Sequence, residues 1–256
     1  MNPELLPRLL LLDLDGTLLR SDGSVSDGTL SALNACRQRG IRLVIATARF
    51  WFKAEKYIRL LQPDEAILAD GTQIFCGEKL MDGLPLEPRQ RDGLISDLME
   101  DSKARDFIVC TGRRLLLSVP GVHEPWRETG DFTRPLPSPV YKIAAVLDSL
   151  EQAQALAARH GCRLHTYHGE QLYGFTHPAA GKLQAARALG SMLGIGLDDM
   201  MAFGDDQNDL DLLTHCGRGI AMGNAAPSIR EAASDVTATN DDDGVARYLT
   251  RMLERI

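Results

Sequence analysis

Asp13 and Asp15 stand one residue apart in the string Asp13-Leu14-Asp15-Gly16-Thr17, directly after four leucines, Leu9–Leu12. Four leucines in a row predict a strand buried on both faces, and Asp with Gly predicts a turn at its end. In open α/β sheets ligands bind at that C-terminal end. Thr47 closes a second apolar run, Ile41–Ala46, and Gly204-Asp205-Asp206-Gln207-Asn208-Asp209 closes a third, Met200–Phe203. Lys182 opens a helix and supplies a fixed positive charge. If the three strands are parallel, these residues converge on one rim. Four carboxylates there repel and raise one another's pKa values. A divalent cation relieves that repulsion, and hard oxygen ligands with waters retained fit Mg2+. Carboxylates, Mg2+, one lysine and hydroxyl or amide donors suit phosphoryl transfer, where the protein positions groups and neutralises charge. One carboxylate can act as nucleophile through an aspartyl-phosphate, and the other can protonate the leaving oxygen and later deprotonate water. Taken singly, each piece has an ordinary structural explanation: Thr47 a helix cap, Lys182 a solvated helix start, Gly204–Asp209 a polar turn. The weight rests on their joint arrangement.

The elements that must carry these residues follow a β-α-β-α-β pattern through residue 69: strands at Leu9–Leu12, Ile41–Ala46 and Ala66–Ala69, with helices from Ser26 or Asp27 to Arg39 and from Phe50 to Leu61. Such alternation predicts a parallel sheet with right-handed crossovers. A hairpin around Cys76-Gly77-Glu78 follows. From Gly83 to Ala180 the texture changes to paired short strands, a Pro-rich loop over Thr133–Pro139 and two helices, near Arg89–Ser102 and from Ser149 to Arg159. Strands are expected at Phe107–Cys110, Leu115–Val119, Lys142–Leu147, Arg163–Tyr167 and Gln171–Thr176. This predicts an α+β module inserted into the first. From Gly181 the α/β pattern resumes to the end of the chain. The expected organisation is therefore a Rossmann-like parallel-sheet core from residues 1–82 and 181–256, with an inserted α+β cap domain at 83–180. The aromatics Phe50, Trp51, Phe52 and Tyr57 read as packing. His165 and His168, with no visible partners, read as surface or interface residues.

Of 256 residues, 44% are hydrophobic and 25% charged, which suits a globular chain with a sizeable core. A net charge of -7 argues against nucleic acid or an anionic membrane as the main partner. The five cysteines are scattered without C-x-x-C spacing, so neither zinc nor a disulfide framework is indicated. No apolar run approaches a membrane span, and a cytoplasmic location is the expectation.

These motifs in this order resemble the haloacid dehalogenase-like phosphohydrolase superfamily. Asp13–Thr17 looks like its first motif, Thr47 its second, Lys182 its third and Gly204–Asp209 its fourth. The tail Ala221–Ala225, then Glu231–Ala233 and Asp243–Ala246, is similar to the Cof-like subgroup, which carries a large α+β cap between the second and third motifs. The resemblance implies Asp13 as nucleophile and Asp15 as general acid/base. It implies Mg2+ held by Asp13, the Asp15 backbone carbonyl and Asp205. It implies Thr47, Lys182 and Asn208 on the phosphoryl group, with Asp209 and Arg49 in support. Ala48 departs from the glycine often seen between Thr and Arg.

The expected function is a Mg2+-dependent phosphatase acting on a small phosphorylated metabolite such as a sugar phosphate. The alternatives are a phosphomutase or synthase-coupled sugar-phosphate phosphatase of the same superfamily and, from another class, a receiver-like phosphate-accepting module. The insertion is expected to be a movable lid hinged near Asp82-Gly83 and Pro178–Gly181. Candidate cap residues facing the site are Arg113, His123, Glu124, Tyr173 and His177. The oligomeric state is left open.

Overall fold

Side-chain alternation along the first strand sets the two faces of the larger sheet. In a computed structural model describing residues 6–100, 106–119, 127–134, 136, 138–167 and 171–255, β1 (Leu9–Leu12) is buried throughout. Leu10 and Leu12 enter one apolar cluster, while Leu9 and Leu11 enter another on the opposite face. A strand covered on both sides is what an unbroken leucine run requires.

The chain continues through α1 (Asp27–Gln38), β2 (Arg42–Ala46), α2 (Trp51–Leu61), β3 (Glu65–Leu68), β4 (Gln73–Cys76) and β5 (Lys79–Gly83). Next come α3 (Pro88–Glu100), β6 (Asp106–Thr111), β7 (Arg114–Leu117), β8 (Arg127–Thr129), β9 (Lys142–Val146), α4 (Leu150–His160), β10 (Arg163–Thr166) and β11 (Leu172–Thr176). The last stretch holds α5 (Lys182–Leu193), β12 (Met200–Gly204), α6 (Leu210–His215), β13 (Arg218–Ala221), α7 (Pro227–Ala232), β14 (Asp235–Val236) and α8 (Gly244–Glu254).

Among the described residues, one sheet has the order β14-β13-β12-β1-β2-β3-β4-β5. Its members from β14 to β3 pair in parallel, and β4 and β5 extend it as an antiparallel hairpin. The chain winds outward from β1 in both directions, so β1 is the topological switch point, where α/β sheets open a crevice. Residues of α1, α2 and α8 cover one face, including Leu33, Tyr57 and Leu249. Those of α5, α6 and α7 cover the other, including Leu189, Leu213 and Ile229. Local signals set the helix ends. The Ser26 hydroxyl accepts from Thr29 N at 3.0 Å at the start of α1, and Gly161 takes left-handed angles after α4.

The second sheet has the order β10-β11-β9-β6-β7-β8 and is antiparallel except for β7 with β8. With α3 and α4 it encloses its own apolar core around Leu94, Val109, Ile143 and Phe175. This is the inserted α+β cap of a Rossmann-like protein. The short strand β8 has no counterpart in the sequence reading, because Arg127-Glu128-Thr129 carries no apolar alternation. Among the described residues no helix is long and apolar enough to cross a membrane.

Candidate active site

The turn Leu14–Leu18 brings the first motif under the fourth. Gly16 has φ +72°, and a Cβ there would lie 2.2 Å from Asp205 Oδ2. Only glycine permits both the left-handed angle and this approach. The same turn lets Thr17 donate its hydroxyl to Asp205 Oδ1 at 2.8 Å. Asn224 donates to Gly16 O at 2.9 Å, tying the tail motif to the first.

Lys182, at the start of α5, is 2% exposed and reaches the same point from the other direction. Its Nζ lies 2.7 Å from Asp13 Oδ1 and 2.6 Å from Asp209 Oδ1. The other Asp209 oxygen accepts from the backbone N–H groups of Asp205 and Asp206, which shapes the turn after β12. Oxygens of Asp13, Asp205 and Asp209 lie within 4.8 Å of one another. Thr47 is buried beside them at the end of β2, and its hydroxyl accepts from Arg49 N at 3.2 Å.

One ammonium cannot neutralise three carboxylates, of which Asp13 and Asp209 are buried and Asp205 is partly buried. Burial pushes Asp13 well above the usual carboxylate range; Lys182 opposes this, and Asp209 and Asp205 add to it. Burial likewise pushes Asp205 up to about 7, against the Thr17 hydroxyl and reinforced by Asp209. Burial alone would lower Lys182, but Asp13 and Asp209 hold its ammonium well above the ordinary lysine range. Fully ionised, the three carboxylates carry more negative charge than Lys182 matches, and this disfavours their ionised forms. Asn208 Oδ1 is buried, with no partner among the described residues. Clustered carboxylate oxygens with surplus charge fit a hard divalent cation such as Mg2+.

Asp15 is held apart from the cluster. Arg49 grips both of its oxygens, Nε to Oδ2 at 2.7 Å and Nη2 to Oδ1 at 2.5 Å. Thus Asp13, Thr47, Lys182, Asp205, Asn208 and Asp209 meet at the rim, while Asp15 and Arg49 form its outer edge.

A cavity of about 650 Å³ lies over this rim, lined by Asp13, Thr47, Phe50, Asp205 and Asn208 from the core and by Lys142, Ala144, Tyr167 and Leu172 from the cap. Several expectations are corrected here. Phe50 is a cavity wall, although Trp51 and Tyr57 are buried packing. Arg113 lies over the Trp51 ring and bonds Glu78 instead of lining the cavity, and Tyr173 and His177 do not line it either. His123, Glu124 and His168 lie outside the described residues. His165 is buried at 8% exposure, with Nε2 2.8 Å from Thr176 Oγ1 and Nδ1 3.6 Å from Asp70. Sequence reasoning missed Lys142, Tyr167 and the partner they share, Asp70. The signal within reach was Asp70-Gly71-Thr72, a third strand end carrying a carboxylate.

A doubly wound core whose strand rim is roofed by an inserted cap defines the capped, Rossmann-like hydrolases. The haloacid dehalogenase-like hydrolase family matches residues 10–249, and the chain belongs to it. It is 27% identical over 259 residues to a putative phosphatase of Haemophilus influenzae, covering 93% of this chain and 95% of that one. It is 26% identical over 282 residues to 5-amino-6-(5-phospho-D-ribitylamino)uracil phosphatase YwtE of Bacillus subtilis, covering 96% and 98%. A solved haloacid dehalogenase-like hydrolase from B. subtilis superposes with a TM-score of 0.82 at 25% identity, over 95% of this chain and 99% of its own.

Proposed function

We propose that this haloacid dehalogenase-like phosphatase is Mg2+-dependent, works in the cytoplasm and hydrolyses a small phosphorylated metabolite through an aspartyl-phosphate on Asp13. The observation that carries the reading is Lys182 buried between Asp13 and Asp209, under a cavity lined by Asp13, Thr47 and Asn208. The cation would be held by Asp13, Asp205 and the Asp15 backbone carbonyl, and when bound it neutralises charge on the phosphoryl oxygens. Lys182, Thr47 and Asn208 hold the same oxygens by donated hydrogen bonds. An Asp13 carboxylate oxygen attacks phosphorus, the ester P–O bond breaks, and Asp15 gives its proton to the leaving oxygen. Water then attacks the acyl phosphate, Asp15 takes the water's proton, and inorganic phosphate leaves Asp13. Asp209 fixes Lys182, and Arg49 fixes Asp15.

Residues 83–180 act as the lid that excludes water during the first step and releases product after the second. The cavity volume suits a substrate of small-metabolite size. The YwtE relative, named for a phosphorylated small molecule, supports that class. The test is a screen of sugar and heterocycle phosphates with Mg2+, reading released phosphate. Turnover of one or a few small monoesters is expected. No turnover of any, with the fold intact, would refute the assignment.

A further inference from the structure

The cap side of the cavity is built around one lysine. Along β9, Lys142 and Ala144 face the core while Ile143 and Ala145 enter the cap's own apolar cluster. Gly174 of β11 pairs with Ala144, and a Cβ there would lie 2.4 Å from Tyr167 Oη and 3.1 Å from Lys142 Cε. A glycine at 174 is what lets both side chains cross this face of the sheet. Lys142 is 2% exposed. Its Nζ lies 2.5 Å from Asp70 Oδ2, donates to Ala48 O at 3.0 Å, and sits 4.7 Å and 4.9 Å from the ring centres of Phe50 and Tyr167. Tyr167 Oη donates to the same Asp70 oxygen at 2.9 Å. Asp70 reaches the cap from a backbone in which Ala69 and Asp70 both take left-handed angles, φ 51° and 59°. Such angles are uncommon for residues other than glycine, and they concentrate where function requires them.

An ammonium has three N–H donors. Asp70 and Ala48 take two, and Lys142 lines the cavity shared with Asp13 and Thr47. We propose that Lys142 is a specificity-determining residue, donating its third N–H to an oxygen or nitrogen acceptor on the substrate's leaving group, with Asp70 as the positioning residue that holds the ammonium there. The inference rests on the phosphatase reading above. It defines a substrate class: monoesters of compact leaving groups with an acceptor atom on the side remote from the phosphoryl group, resting against Phe50, Tyr167 and Leu172. A leaving group with its own ammonium at that point sets donor against donor and is rejected.

The test compares the best substrate of the metabolite screen with phenyl phosphate, whose leaving group lacks a remote acceptor. Two double variants remove the buried charge pair together: K142M/D70N, which has no donor at position 142, and K142Q/D70N, which keeps one. K142M/D70N is expected to raise KM for the metabolite and to reduce its preference over phenyl phosphate by about ten- to a hundredfold. K142Q/D70N is expected to recover part of that preference. A joint that merely held cap to core would lower kcat/KM for both substrates together and leave their ratio at the wild-type value. In the wild type, at least one single-deoxy or deaza analogue of the metabolite is expected to lose about tenfold or more in kcat/KM. If no analogue does, or if K142M/D70N retains wild-type preference, Lys142 has no such role while the phosphatase reading stands. A folded wild type inert towards every phosphate, phenyl phosphate included, overturns both.

Discussion

Arg49 holds both carboxylate oxygens of Asp15, at 2.7 and 2.5 Å, and turns that side chain away from Asp13, its neighbour two residues earlier. The pair separates the two aspartates of one motif into a buried partner of Lys182 and a half-free group at the cavity edge. The Asp15 side chain is 60% exposed, so the contact contributes little to stability. Its consequence is orientation. Arg49→Met is expected to lower kcat about tenfold by releasing Asp15 from one geometry, while unfolding free energy changes by less than about 1 kcal/mol. Steady-state kinetics beside urea denaturation check this; unchanged kcat would remove Arg49 from the mechanism.

Asp13→Asn is expected to abolish turnover by about four orders of magnitude or more without weakening the fold. Burial already favours the neutral form of Asp13, and asparagine resembles that form. The metal-free variant should therefore melt at the wild-type temperature or above it. A fall of many degrees would mean that the Asp13 carboxylate is needed for folding.

Chelation should silence the enzyme and Mg2+ restore it. A ligand present at about a hundred times its dissociation constant stabilises the fold by about 3 kcal/mol, so Mg2+ should raise the melting temperature. Asp205→Asn is expected to remove most of that rise along with activity. Full turnover in metal-free buffer would contradict the requirement.

Gly16→Ala places a methyl group 2.2 Å from Asp205 Oδ2 at φ +72°. The backbone angle alone costs about 1–2 kcal/mol, and the contact displaces the Asp205 carboxylate. The expected result is lower stability together with weaker Mg2+ activation. Wild-type Mg2+ dependence in a stable variant would show that Asp205 does not need the turn.

Asp70 gives a pH signature. Burial alone would raise its pKa, but His165 and Lys142 hold it down at about 2, below the ordinary 3.8. A depressed folded value means that the unfolded chain binds more protons between these limits. The stability is present above about pH 4 and is lost as pH falls towards 2; the shift corresponds to about 2 kcal/mol. Denaturant titrations across that window should show wild type losing more stability than K142M/D70N. Equal slopes would place the Asp70 contribution elsewhere.

The sequence by itself determined which residues gather at the rim. Leu9–Leu12, Ile41–Ala46 and Met200–Phe203 are too apolar to be anything but covered strands, and parallel strands deliver their C-terminal residues to one edge. Asp13, Thr47, Lys182, Asp205, Asn208 and Asp209 were therefore legible as a group, and the change of texture after residue 83 announced the cap. Only tertiary structure decided which way each side chain turns and what the cap lays over the rim. Asp13 and Asp15 look equivalent in sequence, yet Lys182 buries one and Arg49 draws out the other. Asp70, in the turn between β3 and β4, and Lys142, at the start of β9, lie 72 residues apart, and neither sits in a pattern that names the other. His165 looked like a surface residue because burial of a polar ring depends on partners, Thr176 and Asp70, that only folding brings together. Periodicity and strand-end position are local properties of a chain, whereas the pairing of buried charges is set by the packing of elements distant in sequence.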